Sequence, residues 1–334
     1  MNPDLQGQLA AVAKKVDPVI KSLVEEEKEI EVLYKASKHL IDAGGKRLRP
    51  FLVLKSCEIV GGKEDDAIQL AAAIELLHTF TLIHDDIMDE DEKRRGVPSV
   101  HALWGKPMAI TAGDLLFAKV YDSVIRCASP KHIAYGRVLK ALSIITEAAV
   151  SICRGQTLDM LFESMEEISE EQYLRMISGK TASLLKASAQ SGAIFGGGTA
   201  SQVKLVGGFA NYCGLAFQIV DDVLGLTADE KVIGKPVGSD IRDGKKTIVI
   251  VHALNKANSE QRHLILSALR KIESPPSRIE EVIQTVKSLE SIDYAMSKAK
   301  DFIEKAKAQL SPFPASPAKN ALLELSNFLV SRRY

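Results

Sequence analysis

Aspartates that follow a long apolar segment are the first residues in this sequence whose types and spacing suit chemistry. The stretch "TLIHDDIMDEDEKRRG", residues 81–96, starts as apolar as a core helix and then becomes strongly acidic. On an ideal helix of about 100° per residue, His78, Asp85 and Asp89 point nearly the same way, and Asp86 lies beside them. This stripe of carboxylates at one helix end is a candidate cation site.

A second segment repeats this arrangement in the stretch "FQIVDDVLG", roughly half the chain further on. There Gln218, Asp221 and Asp222 share a face near the C-terminal end of another apolar helix. Carboxylates are unfavourable at a helix C-terminus because the macrodipole is negative there, so both sites favour bound cations. Mg²⁺ fits, because it prefers oxygen ligands and is commonly shared between carboxylates and substrate phosphates. One acidic cluster is ordinarily a solvated helix end, but two of them after apolar helices predict metal sites.

Basic residues near the acids predict that anionic substrates bind as well. The stretch "GGKRLRP" places Lys46, Arg47 and Arg49 on a glycine-flexed connection before a helix expected to open at Pro50, a setting that suits a phosphate. Further basic groups lie in "RRG", "GKT", "GKP" and "DGKKT", namely Arg94, Arg95, Lys180, Lys235, Lys245 and Lys246. Carboxylates for metal and separate cations indicate two phosphorylated substrates, one bound through Mg²⁺ and one through Arg and Lys.

Long helices must position these groups, because apolar residues recur at intervals of three and four in several segments. The segments are residues 70–89, 136–164, 170–196 and 200–226. Strand patterns are nearly absent, and several helices are apolar on most faces, which places them at the centre of a helical bundle. The sequence therefore predicts a single all-α domain over residues 1–334, without a flexible interdomain linker.

Charge, cysteine content and the N-terminus limit the partners and the location. Lys plus Arg and Asp plus Glu are equal at 43 each, so no global field favours nucleic acid or an anionic membrane. Pro3 and Pro18 break an N-terminal stretch that is also punctuated by charge, so we expect neither a signal peptide nor a transmembrane segment there or later. Cysteines without paired spacing predict buried, reduced thiols in a cytoplasmic protein. They are Cys57, Cys127, Cys153 and Cys213.

Taken together, these stretches resemble the trans-isoprenyl diphosphate synthase family, which elongates prenyl chains head to tail. The family's order is kept over nearly the whole chain by "GGKRLRP", "LLHTFTLIHDDIMDEDEKRRG", "GDLLFA", "GQTLD", "GKTASL", "FQIVDD" and "GKPVGSDIRDGKKT". The resemblance is to archaeal-type short-chain synthases, including geranylgeranyl diphosphate synthases. It implies an all-α isoprenoid synthase fold around a deep central cavity, and usually a homodimer.

The resemblance also implies a role for each acid. Asp85, Asp86 and Asp89 would form the first aspartate-rich motif, and Asp221 and Asp222 would belong to the second. Together these motifs would hold three Mg²⁺ ions on an allylic diphosphate. The direct metal ligands would be Asp85, Asp89 and Asp221.

The remaining candidate residues would bind the two substrates. The allylic diphosphate would contact Arg94, Lys180 and Lys235, with Lys245 as a further diphosphate contact. The isopentenyl diphosphate site would be formed by Lys46, Arg49, His78 and Arg95. The developing cation would be stabilised by Thr181 and Gln218. Both Gln156 and Asp159 would face the same cavity, with Asp159 near the metals.

The implied reaction needs no nucleophilic side chain. The allylic C–O bond ionises, the double bond of isopentenyl diphosphate attacks the carbocation, and the released diphosphate is the expected base for the departing proton. Metal ions and nearby cations stabilise charge on the leaving group, and an apolar cavity shields the carbocation from water.

One departure from the family pattern and two rival functions remain open at this stage. Gly225 stands where the second motif normally has its last aspartate. A class I terpene cyclase would share the first motif, but it needs no second diphosphate site and would leave "GGKRLRP" without a role. A non-catalytic subunit of a heteromeric synthase usually loses acids or basic anchors, whereas here only Gly225 deviates.

The resemblance implies that product length depends on the two residues four and five positions before the first motif. These are Thr81 and Phe80. A lone aromatic at the farther position resembles archaeal-type geranylgeranyl synthases, so the resemblance implies a C20 product, with C15 or C25 and longer chains as alternatives. Helix geometry alone does not show that Phe80 forms the floor of the cavity, because an ideal wheel puts it about 140° from Asp85.

Overall fold

The structure is a computed structural model, and it describes residues 3–25, 27–129, 133–228, 237–269 and 274–331. The described chain is almost entirely helical, and the predicted all-α fold is confirmed. Its residues group into two compact units. The first unit comprises residues 1–146, 187–207 and 313–322, and the second comprises residues 147–186, 208–312 and 323–334. The prediction of a single domain stays a prediction.

The elements of the first part of the chain surround one central helix. In order they are α1 Pro3–Leu23, a 3₁₀ turn Lys28–Ile30, α2 Glu31–Asp42, α3 Leu48–Ile59, α4 Glu64–Met88, β1 Lys93–Arg94, β2 Val97–Pro98 and α5 Val100–Arg126. Helix α4 packs against α1, α3 and α5. Burial on most sides explains why its sequence is apolar nearly all round. The apolar segment at residues 70–89 is therefore the core helix of its unit.

The remaining elements are helices, and most of them match the predicted segments. They are α6 Tyr135–Ser164, α7 Glu170–Ile177, a π-helical turn Ser178–Ala182, α8 Ser183–Phe195, α9 Ala200–Thr227, α10 Ser239–Asp243, α11 Ile248–Lys256, α12 Ser259–Ala268, α13 Pro276–Ser288, α14 Ser291–Leu310 and α15 Pro317–Ser331. Within the second unit, α11 packs against α7, α12, α13 and α14. The predicted single helix at residues 170–196 is interrupted, because the π-helical turn separates α7 from α8.

The N-terminal stretch differs from the expectation that its prolines break it. Helix α1 begins at Pro3, whose missing amide hydrogen is harmless at a helix start, and continues through Pro18. Its buried apolar side chains recur every three or four residues from Leu5 to Ile20. Burial of this face against α3 and α4 offsets the backbone hydrogen bond that Pro18 cannot donate.

Two other sequence expectations need qualification. Helices α4 and α9 are long and apolar enough to cross a membrane by length and composition. This differs from the expectation that no segment after the N-terminal stretch reaches the length and apolarity of a membrane span. The most apolar window of α4 is 61% buried and that of α9 is 56% buried, as in core helices of water-soluble proteins. The cysteines are free thiols, but only Cys57 and Cys213 are buried, and Cys153 is exposed.

A buried ion pair ties the "GGKRLRP" connection to the core helix. The guanidinium of Arg47 donates from Nη1 to Glu75 Oε1 at 3.0 Å and from Nε to Asp17 Oδ1 at 2.7 Å. The side chains of Arg47 and Glu75 are only 1% and 3% exposed. Arg47 precedes α3, which starts at Leu48 and not at Pro50, and its φ of +51° lies in the left-handed region. Arg47 is therefore a structural residue of this connection.

We expect the change Glu75→Gln to lower the free energy of unfolding by about 3 kcal/mol, because it leaves a buried guanidinium without one of its two carboxylates. Urea denaturation followed by circular dichroism measures the effect. The control Glu31→Gln removes a carboxylate from the exposed pair with Lys35 and should cost less than about 1 kcal/mol. Equal effects of the two changes would mean that Arg47 does not depend on Glu75.

Candidate active site

The acidic end of α4 is held by an arginine from the chain that follows it. Arg94 donates from Nε to Asp86 Oδ1 at 2.6 Å and from an Nη atom to Asp91 Oδ2 at 3.1 Å, and Asp85 Oδ2 lies 3.7 Å away. Asp86 is fully buried, and its Oδ2 has no hydrogen-bond partner among the described residues. Burial raises the pKa of Asp86 to about 6, against the opposing effect of Arg94. The basic residues that follow the acids therefore also have a structural role, because Arg94 binds the acidic end of α4.

A tight hairpin makes this return possible. Strands β1 and β2 pair through Lys93 with Pro98 and through Arg94 with Val97, so Arg95 and Gly96 form a two-residue loop. Both loop residues have positive φ, at +55° and +78°, as a type I′ turn requires. Arg95 has different partners from Arg94, because its guanidinium donates to the carbonyl oxygens of Leu40, at 2.9 Å, and Gly44.

Arginines also surround His78 in the first unit. Burial and the charges of Arg49, Arg95, Arg94 and Arg47 hold the pKa of His78 well below its ordinary value, so the imidazole is neutral. Burial lowers the pKa of Arg49 to about 10, and its Nε has no hydrogen-bond partner among the described residues. A concentration of cations with an unsatisfied buried donor favours an anion at this place.

The two residues predicted to limit chain length, Phe80 and Thr81, make different contacts. The ring of Phe80 lies 4.7 Å from the ring of His84 and 4.9 Å from the ring of Phe117, which is on α5. Thr81 donates its hydroxyl hydrogen to the carbonyl oxygen of His78 at 2.7 Å. Phe117 continues the aromatic contact to Tyr121 at 5.2 Å. Phe80 therefore belongs to an aromatic cluster between α4 and α5.

In the second unit, glycines bring three motifs together around the π-helical turn. A Cβ on Gly155 of "GQTLD" would lie 2.2 Å from the amide nitrogen of Lys180, and one on Gly214 would lie 2.6 Å from Ala182 Cα. The turn itself carries Gly179, where a Cβ would lie 2.8 Å from the carbonyl oxygen of Ser151. Any larger residue would separate α6 and α9 from the turn. These approaches place Lys180 and Thr181 beside both helices.

A chain of hydrogen bonds runs from the π-helical turn to the second aspartate motif. Thr181 Oγ1 donates to Gln218 Oε1 at 2.7 Å, and Gln218 Nε2 donates to Asp222 Oδ1 at 3.0 Å. The hydroxyl of Tyr173 donates to Asp222 Oδ2 at 2.6 Å. Burial raises the pKa of Asp222 to about 7, and these two donors oppose that rise. Asp221, its neighbour, is exposed.

The "GQTLD" motif contributes an acid and an amide to the same unit. Lys180 Nζ donates to Asp159 Oδ2 at 2.7 Å, and the Asp159 side chain is only 10% exposed. Gln156 is also buried, and its Nε2 has no hydrogen-bond partner among the described residues. Asp159 therefore positions the ammonium group of Lys180.

The position of the missing aspartate is adjacent to another carboxylate. A Cβ on Gly225 would lie 3.1 Å from Asp240 Oδ2, and Gly225 accepts a hydrogen bond from the amide of Gly238 at 2.9 Å. Asp240 belongs to α10, within the stretch "GSDIRD". The absence of a side chain at Gly225 leaves room for the Asp240 carboxylate beside the last turn of α9.

The structure shows where most of the predicted site residues lie. It brings Arg94 to the first motif and joins Thr181, Gln218 and Asp222, while Lys46 is exposed and Lys245 partly buried. Lys235 lies outside the described residues.

Three polar residues that the structure places beside candidate residues received no role from the sequence, namely Glu75, Tyr173 and Asp240. A lone acid inside "AAAIELLH" was a usable signal for Glu75, because a buried carboxylate needs a partner. For Tyr173, only its place in a helical pattern was visible. Asp240 lay inside a quoted motif without an assigned role.

Comparison with known proteins places this chain among prenyl-chain synthases. The family model described as "Polyprenyl synthetase" matches residues 30–286. A short chain isoprenyl diphosphate synthase of Methanothermobacter thermautotrophicus is 45% identical over 91% of each chain. A geranylfarnesyl diphosphate synthase of Aeropyrum pernix is 42% identical over 88% of this chain and 91% of its own. The crystal structure of geranylgeranyl pyrophosphate synthetase from Pyrococcus horikoshii superposes with a TM-score of 0.92, at 44% identity over 98% of both chains.

The change Gly225→Asp should place a second carboxylate beside Asp240 and destabilise the metal-free protein by about 1 to 4 kcal/mol, the Coulomb repulsion at about 4 Å for effective dielectric constants of about 80 to 20. Millimolar Mg²⁺ should recover much of that loss. The thermal midpoint with and without Mg²⁺ measures both effects. The matched control Gly225→Asn has the same shape without the charge, so an equal Mg²⁺-dependent shift in both variants would refute the electrostatic explanation.

Proposed function

The chain belongs to the polyprenyl synthetase family and is a trans-prenyltransferase, and we propose that it condenses isopentenyl diphosphate with an allylic diphosphate to give geranylgeranyl diphosphate, a C20 product. The observation that carries this proposal is the acidic end of α4, where Asp85, Asp86 and Asp89 follow a buried helix and Arg94 returns to them. A C25 product is the alternative, because a relative of similar identity is named a geranylfarnesyl diphosphate synthase.

The acids of both motifs fit bound Mg²⁺, which when present neutralises negative charge on a diphosphate. In the first motif, the buried Asp86 Oδ2 accepts no hydrogen bond from the described residues, and burial of such a carboxylate oxygen favours a nearby cation. In the second motif, Gly225 leaves space beside the Asp240 carboxylate. Asp85, Asp89 and Asp221 would be direct ligands. The resemblance supplies the number of three ions.

The polar side chains would act on charge that develops during the reaction. Ionisation of the allylic C–O bond leaves negative charge on the departing diphosphate, and we assign Arg94, Lys180, Lys235 and Lys245 to it. Thr181 and Gln218 carry oxygen lone pairs suited to the carbocation. The double bond of isopentenyl diphosphate then forms the new C–C bond, and the released diphosphate accepts the proton that restores a double bond.

The site for isopentenyl diphosphate, the second diphosphate, is assigned to the basic residues near His78 in the first unit. It consists of Lys46, Arg49, His78 and Arg95. Among the described residues the Nε of Arg49 has no hydrogen-bond partner, which supports an anion there, and the neutral His78 adds a hydrogen-bonding group without further charge repulsion. This separate site favours a prenyltransferase over a terpene cyclase, which needs one diphosphate only.

Assembly and location are also part of the proposal. Each unit leaves large apolar side chains exposed, among them Ile125 and Leu139 in the first and Val150 and Leu161 in the second, which supports a homodimer. The family model covers residues of both units, which supports one functional domain over residues 1–334. The free thiols support a cytoplasmic location.

Purified protein incubated with Mg²⁺, labelled isopentenyl diphosphate and an allylic diphosphate tests the function, and we expect an extractable prenyl product. The change Asp85→Ala should reduce product to the level of a protein-free reaction while circular dichroism stays unchanged. The control Glu90→Gln alters an exposed acid next to the motif, which pairs with Lys106, and should keep activity. Near-normal turnover of Asp85→Ala at saturating Mg²⁺ would exclude the proposed role of the first motif.

Product length should respond to the aromatic cluster at Phe80. Elongation stops when another isoprene unit would overpack the cavity, at a cost of about 1 to 3 kcal/mol. We therefore expect Phe80→Ser to lengthen the product by at least one unit and Thr81→Phe to shorten it toward C15. Chromatography of the dephosphorylated prenyl alcohols measures the distribution. Thr79→Ser, a small change at the adjacent position, is the control, and identical distributions in all variants would refute the length assignment.

A further inference from the structure

We propose that Tyr173 is a positioning residue, which acts through Asp222 and Gln218 so that Thr181 presents oxygen lone pairs to positive charge in the reaction. The inference deepens the proposed function and rests on it. Three hydrogen bonds carry it, running from Tyr173 to Asp222, from Gln218 to Asp222 and from Thr181 to Gln218, with lengths of 2.6, 3.0 and 2.7 Å. We refer to these four residues as the relay.

The directions of the hydrogen bonds give the relay its function. Both carboxylate oxygens of Asp222 receive donors, so the amide group of Gln218 must turn its NH₂ toward Asp222 and its oxygen away. That oxygen then accepts the hydroxyl hydrogen of Thr181. Because this hydrogen is committed to Gln218, the Thr181 hydroxyl can offer only lone pairs to any other neighbour. Lone pairs stabilise a developing carbocation, whereas a hydroxyl hydrogen directed at it would be repelled.

Tyr173 holds the starting point of the relay in place. Its side chain is fully buried, so bulk water does not compete with Asp222 for the hydrogen bond of its hydroxyl. Helix α7 starts with a capping box, in which Ser169 and Gln172 satisfy each other's backbone amides. The backbone amide of Tyr173 donates to the carbonyl oxygen of Ser169 at 3.0 Å. The position of the phenol is therefore fixed by the first turn of the helix.

The π-helical turn explains why Thr181 reaches Gln218. A π-helical turn has one residue more than an α-helical turn and is often found at functional sites. Here it lies between α7, which carries Tyr173, and α8, and it contains Thr181 itself. The contact of Gly214 with Ala182 keeps α9, and with it Gln218, against this turn. Both ends of the relay are thus held by backbone packing.

The test removes one oxygen atom. We expect Tyr173→Phe to lower kcat by about 10- to 100-fold, the usual effect of losing a group that orients an active-site residue. KM for both diphosphates should change by less than about twofold, because none of the three relay hydrogen bonds involves a lysine or arginine assigned to a diphosphate. The matched control is Tyr212→Phe, in the same unit. Tyr212 stacks on Phe302, and its hydroxyl has no hydrogen bond among the described residues.

A double variant separates positioning from general loss of structure. If Tyr173 acts through Gln218, then Tyr173→Phe should have no further effect on kcat in a Gln218→Leu background. Multiplying effects would overturn the relay, as would an unchanged kcat in Tyr173→Phe. Circular dichroism and the thermal midpoint show whether each variant is folded, and the single change Tyr173→Phe with its Tyr212→Phe control tests the proposal if Gln218→Leu does not fold.

A measurement independent of turnover distinguishes failure of the relay from failure of the proposed function. In protein labelled with ¹⁵N at glutamine side chains, the Gln218 amide resonances, identified by their loss in Gln218→Leu or in Gln218→Glu, should move in Tyr173→Phe and stay in Tyr212→Phe. Unmoved resonances would overturn the relay whatever the activity. A wild-type protein that makes no prenyl product would overturn the proposed function, and with it the catalytic purpose of the relay.

Discussion

Carboxylates inside apolar helices set the physical constraint on which this structure depends, because a buried negative charge is stable only beside a donor or a cation. Within each unit, each of these acids receives at least one partner from another segment of the chain. The partnerships are Glu75 with Arg47, Asp86 with Arg94, Asp159 with Lys180, and Asp222 with Tyr173 and Gln218. The tertiary packing of each unit and the electrostatics of its acidic site therefore form together.

The two consecutive aspartates of each motif are not equivalent. The second of each pair, Asp86 or Asp222, is buried and accepts hydrogen bonds from side chains. The first is more open, since the Asp85 side chain is 21% exposed and Asp221 lies on the surface. One carboxylate of each pair thus anchors the helix end to its surroundings, and the other is more accessible to solvent. This division follows from adjacent residues pointing about 100° apart on a helix.

Strong helical periodicity made the long elements predictable, and paired aspartates marked the acidic ends of two of these helices. Helices α6 and α9 agree with their predicted segments to within one residue at each end, whereas α4 starts six residues before its predicted segment. The π-helical turn was missed because a single extra residue hardly changes an apolar pattern of three and four. Arg47 was grouped with the phosphate-binding cations because a sequence shows charge but not the distant acids, Asp17 and Glu75, that neutralise it.

The pairing of Tyr173 with Asp222 could not be predicted from the sequence, for a similar reason. A tyrosine in an amphipathic helix is ordinarily a core residue, and its hydroxyl partner lies 49 positions away in the chain. Gly225 differs, because the sequence shows that it departs from the family pattern but does not show which residue lies beside it in space. Only the fold shows that Asp240 stands beside the empty position.

The π-helical turn at Ser178–Ala182 also determines which changes in chain length this region can accept. Removing one residue would restore a regular α-helix and rotate everything after it by about 100°. The buried face of α8, including Leu184, Leu185 and Ala189, would then turn away from its packing partners. The number of residues in this segment is therefore constrained as strictly as their identity. Single-residue deletions should be absent from functional variants of this segment.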